Sequence, residues 1–171
     1  MKMPDKIVNY KVYKDAKDLL GTADVQFPDI ESLAETIKGA GIAGEVELPT
    51  IGHISAMSMT INWRTITGDT IALAAPVAHS LDFRVAQQSY DTGKGAITTN
   101  SVKHVVKAIP KKLTIGKVEA GGTADAGNEF SVTYYKMLID GQVKVEVDPF
   151  NYIFIIDGVD YLKDVRKSLG M

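Results

Sequence analysis

The chain has 171 residues, of which 45% are hydrophobic and 23% charged, and its formal net charge at pH 7 is −2. This balance of 19 Lys and Arg against 21 Asp and Glu argues against a protein that binds nucleic acid through its phosphates, because such binding needs clustered cations. The absence of cysteine excludes disulfides, thiol catalysis and cysteine-ligated metal sites.

The N-terminal quarter is predicted to hold two strands followed by a helix. Residues 7–13 favour a strand, and residues 19–25 favour its return strand. Residues 30–38 repeat apolar side chains at a helical spacing, with an aspartate placed to cap the first turn and a glycine to end the last. A glycine-rich connection, residues 39–44, leads into a short extended piece, residues 45–48.

The clearest pattern in the sequence covers residues 54–64 and 80–88. In both runs large apolar side chains alternate strictly with polar ones, which is typical of strands with one buried face. Residues 67–75, between the runs, are predicted to form a short helix that ends before Pro76. The outward, polar positions of the two runs are Ser58, Thr60, Asn62, Arg64, Asp82, Arg84 and Gln88.

The C-terminal half is predicted to be strands ending in a helix. Pro110 is expected to end the first strand because it has no backbone donor. Asp140 and Gly141 form a strong hairpin signal. The predicted strands are residues 96–109, 130–139, 143–147 and 153–156, and the terminal helix is residues 160–169.

The order of these elements favours one domain, residues 1–171, of the mainly β class. Strands and helices do not alternate, so a doubly wound parallel sheet does not fit. We expect an antiparallel β-sandwich or barrel with one middle helix and a short C-terminal helix.

No group of residues has the spacing of a catalytic, cofactor or metal site. His53, His79 and His104 are scattered, and there is no Gly-x-Ser-x-Gly motif. Residues 39–44 lack the context of a phosphate-binding loop. A basic stretch across residues 103–117 is balanced by acids elsewhere and suits a solvated face or a contact between subunits. We therefore expect no enzyme activity, cofactor or metal.

The N-terminal residues 1–6 lack the apolar core of a signal peptide. No apolar run reaches the roughly 18–20 residues that span a bilayer. We expect a protein made in the cytoplasm without a membrane anchor.

Long strands in a chain of this size raise the question of what covers their edges. A single subunit could close its own barrel, or a ring of identical subunits could pair each edge with its neighbour. A barrel shared between subunits would be wide enough for an aqueous channel, and its inner face would have to be polar. The polar positions of the two alternating runs suit such a face.

Four segments together resemble the major tail tube protein of contractile-tailed bacteriophages and of the related phage-tail-like bacteriocins. The closing segment, with an Asn, a Gly-x-Asp turn and an Arg before a terminal Leu-Gly, is the most specific. The segments are Met3-Pro4 with Val12-Tyr13, Gly21 and residues 25–28; the run into residues 38–45; Tyr134 to Lys136 with Asp140-Gly141 and residues 145–148; and residues 151–160 with residues 166–170.

The resemblance implies a tail-tube-like fold and a structural role. Hexameric rings would stack into an inner tube, a sheath would surround it, and contraction would drive the tube through the target envelope as a conduit. The implied partners are further copies of the chain, the sheath protein, baseplate and tape-measure proteins, and DNA passing through the lumen if the particle is a phage. The implied location is the tail of a virion or bacteriocin, assembled in the cytoplasm of a bacterial host.

Within that picture the polar positions of the two alternating runs are the predicted lumen-facing residues. Three exposed turns are predicted to mediate ring stacking. Their residues are Lys14, Asp15, Asp18, Gly39, Gly41, Gly44, Glu45, Gly121, Gly122 and Asp125. Two alternatives stay open at this point: a type VI secretion-like tube protein, and a monomeric β-barrel that binds a small ligand.

Overall fold

A computed structural model describes residues 1–19 and 21–171, and strands dominate it. The helices are Gly68–Ala72 (α1) and Lys163–Ser168 (α2). The described strands are Lys2–Lys14 (β1), Lys17–Leu19 (β2), Thr22–Gln26 (β3), Ser32–Lys38 (β4), Glu45–Ile54 (β5), Met57–Trp63 (β6), His79–Asp91 (β7), Ala96–Thr114 (β8), Ala126–Ile139 (β9), Gln142–Asp148 (β10), Ile153–Ile156 (β11) and Val159–Asp160 (β12). The prediction of a mainly antiparallel β fold with two short helices is confirmed.

The main sheet is built around β9. One edge of β9 pairs with β8, while β6 and β10 share the other edge, β6 along residues 126–132 and β10 along residues 135–139. The sheet continues from β8 through β7 and β1 to β2, and from β10 through β11 to β12, while β3 pairs with β6. Strands β4 and β5 form a separate two-stranded sheet.

The predicted alternation in β6 and β7 is confirmed by burial. The inward side chains of both strands are at most 9% exposed. They meet buried residues from β1, β8, β9 and β10 in one core. Because a strand has a period of two, this burial places the polar side chains of β6 and β7 on the opposite, outer face. The buried residues of the two runs are Met57, Met59, Ile61, Trp63, Leu81, Phe83 and Val85.

A buried polar network fixes α1 against the sheet. The helix begins at Thr67, whose side chain and that of Thr70 each accept a bond from the other's backbone N–H at 3.4 Å. Trp63 Nε1 donates to Asn128 Oδ1 at 2.8 Å, and Asn128 Nδ2 donates to the Thr70 carbonyl at 3.3 Å. Asn128 and Thr70 are fully buried, so each bond satisfies a group that water cannot reach.

Replacing Asn128 with Ala is therefore expected to lower the free energy of unfolding by about 2 kcal/mol, because the Trp63 N–H is left buried without an acceptor. Urea unfolding followed by Trp63 fluorescence measures this change. Asn9→Ala, at an exposed asparagine, should change it by less than about 0.5 kcal/mol. Equal effects of the two substitutions would contradict the role of the network.

The predicted helix at residues 30–38 is wrong: the segment forms β4 and pairs with β5. Ile37 lies opposite Val46 and Glu35 opposite Leu48, so the apolar residues that fit a helical spacing also fit one face of a hairpin. Gly39, Gly41 and Gly44 have φ between +90° and +141°, and this left-handed backbone lets the chain reverse direction between the strands. Pairing with β5 outweighs the helical preference of the segment alone.

Several other predicted boundaries differ from the structure. β5 continues past residue 48 to Ile54, and α2 begins at Lys163 because residues 159–160 pair with β11. Pro110 does not end β8, which runs to Thr114, because the register between β8 and β9 shifts after Pro110 and leaves Lys111 as an extra residue. The predicted return strand at residues 19–25 is divided between β2, which pairs with β1, and β3, which pairs with β6. Leu20, inside that prediction, lies outside the described residues.

Candidate functional site

The seven polar positions predicted to face a lumen lie on the outer face of the sheet. Six of them are in β6 and β7, and Arg64 directly follows β6. All seven are exposed or half-buried. The two groups are not neighbours, because β9 and β8 lie between β6 and β7. They therefore mark two borders of one outer surface that spans four strands, β6, β9, β8 and β7.

Sequence reasoning missed the residues in the middle of this surface. The alternation of side chains in β8 and β9 indicates which of these residues face outward, but the lysines of β8 were interpreted only as a basic stretch. Lys107 faces outward and lies over the Tyr134 ring, 5.4 Å from its centroid. The polar outward residues between the two borders are Lys103, Lys107, Lys111, Glu129, Ser131, Tyr134 and Lys136, and the apolar ones are Val105, Ile109 and Leu138.

Three cations form a row across one end of the outer face. Lys11 in β1 lies opposite Arg84 in β7, which lies opposite Lys103 in β8. The row lines an open hollow of about 750 Å³. Like charges in opposite positions repel, so the row needs nearby compensation.

Each cation of the row has a partner within the chain. Lys11 Nζ lies 2.9 Å from Asp18 Oδ2, and this hydrogen bond raises the pKa of Lys11. Lys103 Nζ lies 3.4 Å from an Asp82 carboxylate oxygen. The Arg84 guanidinium lies 4.8 Å from the centroid of the Tyr13 ring, a cation–π contact. Exposed pairs of this kind add little stability, and their main effect is to cancel charge locally.

The opposite border of the outer face is also internally paired. Lys111 Nζ, on the extra residue of β8, donates to Ser58 Oγ at 2.8 Å and lies 3.2 Å from Glu129. Asn62 Nδ2 donates to Asp24 Oδ1 at 2.6 Å. Polar groups therefore line both borders of the outer face, and several of its charges are matched by neighbours on adjacent strands.

The hairpin of β4 and β5, called the arm here (residues 32–54), is amphipathic. One face carries Leu33, Ile37, Val46 and Leu48, which are 42–50% exposed, together with one charged residue, Glu35, opposite Leu48. The other face is polar, as the pairing of Thr36 with Glu47 shows. An isolated two-stranded hairpin is marginal in water. A bare apolar face on such a hairpin is the mark of a surface that another chain covers.

Two of the long strands of the main sheet each leave part of one edge open in the described part of the chain. β1 pairs with β7 along its length, but β2 covers its other edge only from Val12 to Lys14, which leaves residues 2–10 open. β8 pairs with β7 from Ala96, whereas β9 joins it only from Val102, which leaves residues 96–100 open. Open edges present unpaired N–H and C=O groups that can pair with another chain.

The predicted ring-stacking residues lie on three separate turns. The first turn joins β1 to β2, the second is the tip of the arm, and the third is the loop between β8 and β9. In that loop Lys117 Nζ lies 3.4 Å from Glu119 and 3.3 Å from Asp125, and the Asp125 pKa is lowered by hydrogen bonds from Thr123 and Lys117. The residues on the three turns are Lys14, Asp15 and Asp18; Gly39, Gly41, Gly44 and Glu45; and Gly121, Gly122 and Asp125.

The C-terminal motif forms a local lock. The Arg166 guanidinium pairs with the Asp160 carboxylate and donates to the Tyr152 carbonyl at 2.6 Å. Arg166 thereby lowers the pKa of Asp160. Asn151 Nδ2 donates to Asp148 Oδ2 at 2.6 Å. The Asn, Gly-x-Asp and Arg positions of the motif thus tie the final helix to the turn between β10 and β11.

Within residues 1–19 and 21–171, no three His, Asp or Glu side chains are grouped so as to hold a metal ion. The histidines lie apart, with His53 exposed on the arm and the other two buried. Nor does any described helix have the length and apolar character to cross a bilayer.

Comparison with known proteins gives a family for this arrangement of polar face, open edges and arm. Residues 4–170 match the family described as phage tail tube protein FII. The chain belongs to this family. It is also 26% identical over 178 residues to the tail tube protein of Escherichia phage P2, and the match covers all of both chains. The resemblance seen in the sequence is confirmed, and the family is structural, not enzymatic.

Solved structures support the tail-tube fold. The chain is similar to a component of the PVC sheath/tube terminator of an extracellular contractile injection system, with a TM-score of 0.54, 15% identity, and coverage of 79% of this chain and 96% of that one. It is also similar to a component of the PVC sheath-tube complex, with a TM-score of 0.52, 13% identity, and coverage of 80% and 90%. At these identities the likeness concerns the fold.

Proposed function

We propose that this tail tube family member is the subunit of the inner tube of a contractile tail. Hexameric rings stack into a hollow cylinder, and sheath contraction drives it through the target envelope as a conduit. The observation that carries the proposal is the incompleteness of the single subunit, which leaves two strand edges and one apolar hairpin face without partners. The whole chain, residues 1–171, acts as one tube domain.

Pairing of the open edges of β1 and β8 with neighbouring copies makes the ring. Backbone hydrogen bonds to another strand satisfy the groups that β1 and β8 leave unpaired. Rotational symmetry closes the set of contacts, so no edge of this kind is left on the finished ring. A continuous barrel shared by six subunits is wide enough to enclose water.

The outer polar face of each sheet lines the bore in this arrangement. The lumen-facing residues are then Ser58, Thr60, Asn62, Arg64, Asp82, Arg84 and Gln88, together with the outward residues of β8 and β9. Each unpaired cation in a bore would add salt-dependent affinity for a passing polyanion. Because Asp18 and Asp82 pair with two cations of the row and the Tyr13 ring covers the third, the bore presents less unpaired positive charge to cargo.

Ring stacking uses the arm and the two exposed turns. The apolar face of the arm packs on a neighbouring copy, which removes its four half-exposed side chains from water at roughly 25 cal/mol per Å² of apolar area. The glycine-rich tip orders on contact, and the entropy cost of ordering it opposes premature polymerisation. The turn with Lys14, Asp15 and Asp18 and the loop with Gly121, Gly122 and Asp125 complete the joint.

The partners follow from this role. The related PVC chains come from structures of a sheath-tube complex and a sheath/tube terminator, which supports a sheath around this tube. A baseplate protein lies at the end of the tube, and a tape-measure protein sets its length. DNA passes through the tube if the particle is a phage. Assembly takes place in the cytoplasm of the bacterial host.

Size-exclusion chromatography with light scattering, followed by negative-stain microscopy, tests the proposal on the purified full chain. The expected result is rings with six-fold symmetry and, at high concentration, tubes. A monomer at every concentration would overturn it and leave the ligand-binding barrel. The buried core disfavours that alternative, since Trp63, Phe83 and Phe130 fill the interior. A type VI secretion-like tube protein would also give rings in this assay, and the match of residues 4–170 to the phage tail tube family favours the contractile tail over it.

Shortening the loop between β8 and β9 is expected to uncouple stacking from ring formation. Removing residues 119–122 leaves both strands intact, so rings should form while tubes become at least several-fold shorter. Microscopy of tube lengths measures the effect. Tubes of unchanged length would show that this loop is not part of the joint between rings.

A further inference from the structure

The second strand of the arm passes directly over a residue at the start of the C-terminal helix. Gly52 in β5 has φ +68°, and a Cβ built there would lie 2.4–2.6 Å from three side-chain carbons of Leu162. Real Cβ atoms do not approach other carbons so closely, so the contact exists only because residue 52 is glycine. Leu162 is 5% exposed and fills the space beneath the arm.

Leu162 is itself held in place by the C-terminal lock. Its backbone N–H donates to Asp160 Oδ1 at 3.1 Å, and its carbonyl accepts from the Arg166 N–H at 2.9 Å. Arg166 in turn pairs with Asp160 and bonds the Tyr152 carbonyl. The backbone of Leu162 is thus held at its N–H by Asp160 and at its carbonyl by Arg166, and this fixes the point from which its side chain extends.

The described hydrogen bonds and ring contacts that fix the arm to the body lie at its root. Phe27, which precedes the arm, stacks on His104 with ring centroids 3.9 Å apart, and Ser55 N donates to the Glu31 carbonyl at 2.8 Å. Beside Gly52 the arm and α2 enclose an apolar hollow of about 260 Å³ that includes Leu33 and Val165. Space is therefore available for the arm to tilt toward the helix, and Leu162 is the side chain that blocks this movement.

We propose that α2 sets the angle at which the arm leaves the body, through Leu162 seated against Gly52. Leu162 and Arg166 are positioning residues for the arm, and the inference deepens the proposed assembly function on which its biological meaning rests. From Gly52 to the arm tip the strand spans about seven residues, or roughly 23 Å. A tilt of about 10° at Gly52 would move the tip by about 4 Å, enough to misplace its contacts.

The absence of native cysteine allows a direct measurement on the full-length chain. Spin labels at Ala40→Cys in the arm tip and Ser131→Cys in β9 report the arm-to-body distance by double electron–electron resonance in dilute, unassembled protein. The parent should give one narrow distance. Gly52→Ala should shift the peak by several ångströms, and Leu162→Ala should broaden it. The double variant should be narrower than Leu162→Ala, because the new methyl fills the vacated space.

Gly141→Ala is the matched control. Gly141 has φ +80° and nothing within 4 Å of a built Cβ, and it lies in the hairpin between β9 and β10, so the substitution adds the same kind of backbone strain without a collision and outside the C-terminal lock. It should leave the distance unchanged. If circular dichroism shows that Gly52→Ala does not fold, Leu162→Ala alone is used to test the positioning role.

An unchanged distance distribution in Gly52→Ala and Leu162→Ala would overturn the positioning role. A changed distribution supports it, whatever happens to the tubes. The assembly assay on the same variants, without labels, then addresses the other question. If the arm moves and tubes still form normally, the arm is not an assembly element and the stacking part of the proposed function fails.

Discussion

Placing a charge on the apolar face of the arm is expected to block tube formation while leaving the monomer folded. Leu48 is 50% exposed, so Leu48→Asp removes little packing from the monomer. In the tube the same carboxylate would be buried without a partner, at a cost of several kcal/mol, and the burial of the leucine would be lost as well. Because 1.4 kcal/mol is tenfold in a binding constant, the concentration needed for assembly should rise at least about 100-fold. Sedimentation velocity and negative-stain microscopy measure it.

Thr36→Asp is a closely matched control for that substitution. Leu48 faces Glu35 across the hairpin, and Thr36 faces Glu47, so each variant adds one carboxylate opposite one glutamate in the same arm. Repulsion within the hairpin is therefore similar in the two proteins. Only Leu48→Asp adds a new charge to the face that carries Leu33, Ile37 and Val46, beside the Glu35 already there. Equal inhibition by both variants would mean that the arm acts through its own stability, and normal tubes from Leu48→Asp would exclude its apolar face from the joint.

The core strands were predictable because only one orientation of each strand buries all of its large apolar side chains. In β6 and β7 a period of two is repeated through Met57 to Trp63 and Leu81 to Val85, and a shift of one residue would turn every large side chain to water. The hairpin at Asp140 and Gly141 was predictable for a local reason, since both residues adopt positive φ, at 48° and 80°.

The arm was not predictable in the same way, because no core selects its conformation. Leu33 and Ile37 are four residues apart and satisfy a helix, yet they also satisfy one face of a strand. The side chains that decide the matter, Val46 and Leu48, lie across a glycine-rich loop. No local signal in the sequence pairs them, and in the subunit they remain 45% and 50% exposed.

The open edges and the cation row depend on register, which a single sequence does not carry. Residues 2–10 and 96–100 are open only because β2 is three residues long and β9 joins β8 at Val102. Lys11, Arg84 and Lys103 come from three strands and become neighbours only once those strands are aligned. The polar character of the face was predictable, but its local pairing was not.

Acid is expected to destabilise the subunit through His104, which lies in an aromatic pocket. Phe27 stacks on its ring, and Phe27 in turn contacts Phe83 edge-on, with centroids 5.0 Å apart. Its Nδ1 lies 2.7 Å from the Tyr135 hydroxyl, and burial raises the pKa of that tyrosine to about 12, so it is neutral throughout the acid range. No carboxylate compensates a positive ring here among the contacts described, and burial lowers the pKa of His104 to about 4.

The direction of the pH effect follows from this lowered value. The unfolded chain protonates His104 near its ordinary pKa of 6.5, whereas the folded chain keeps it neutral down to about pH 4. Between these values the unfolded state binds more protons, so the free energy of unfolding falls as the pH falls. The stability is fully present above pH 6.5, and the loss by pH 4 amounts to roughly 2–3 kcal/mol. Urea unfolding at pH 7, 6, 5 and 4 measures the slope.

His104→Gln removes the titrating ring while retaining a polar side chain beside Tyr135, and it should flatten that part of the profile. His53→Gln changes an exposed histidine on the arm and should leave the profile unchanged. Acidic residues add their own loss below about pH 5, but they are common to all three proteins, so the difference between profiles isolates His104. Parallel profiles for the parent and His104→Gln would place the acid sensitivity elsewhere. A difference confined to pH 4–6.5 would identify the His104 pocket, next to the root of the arm, as the point where acid first weakens the subunit.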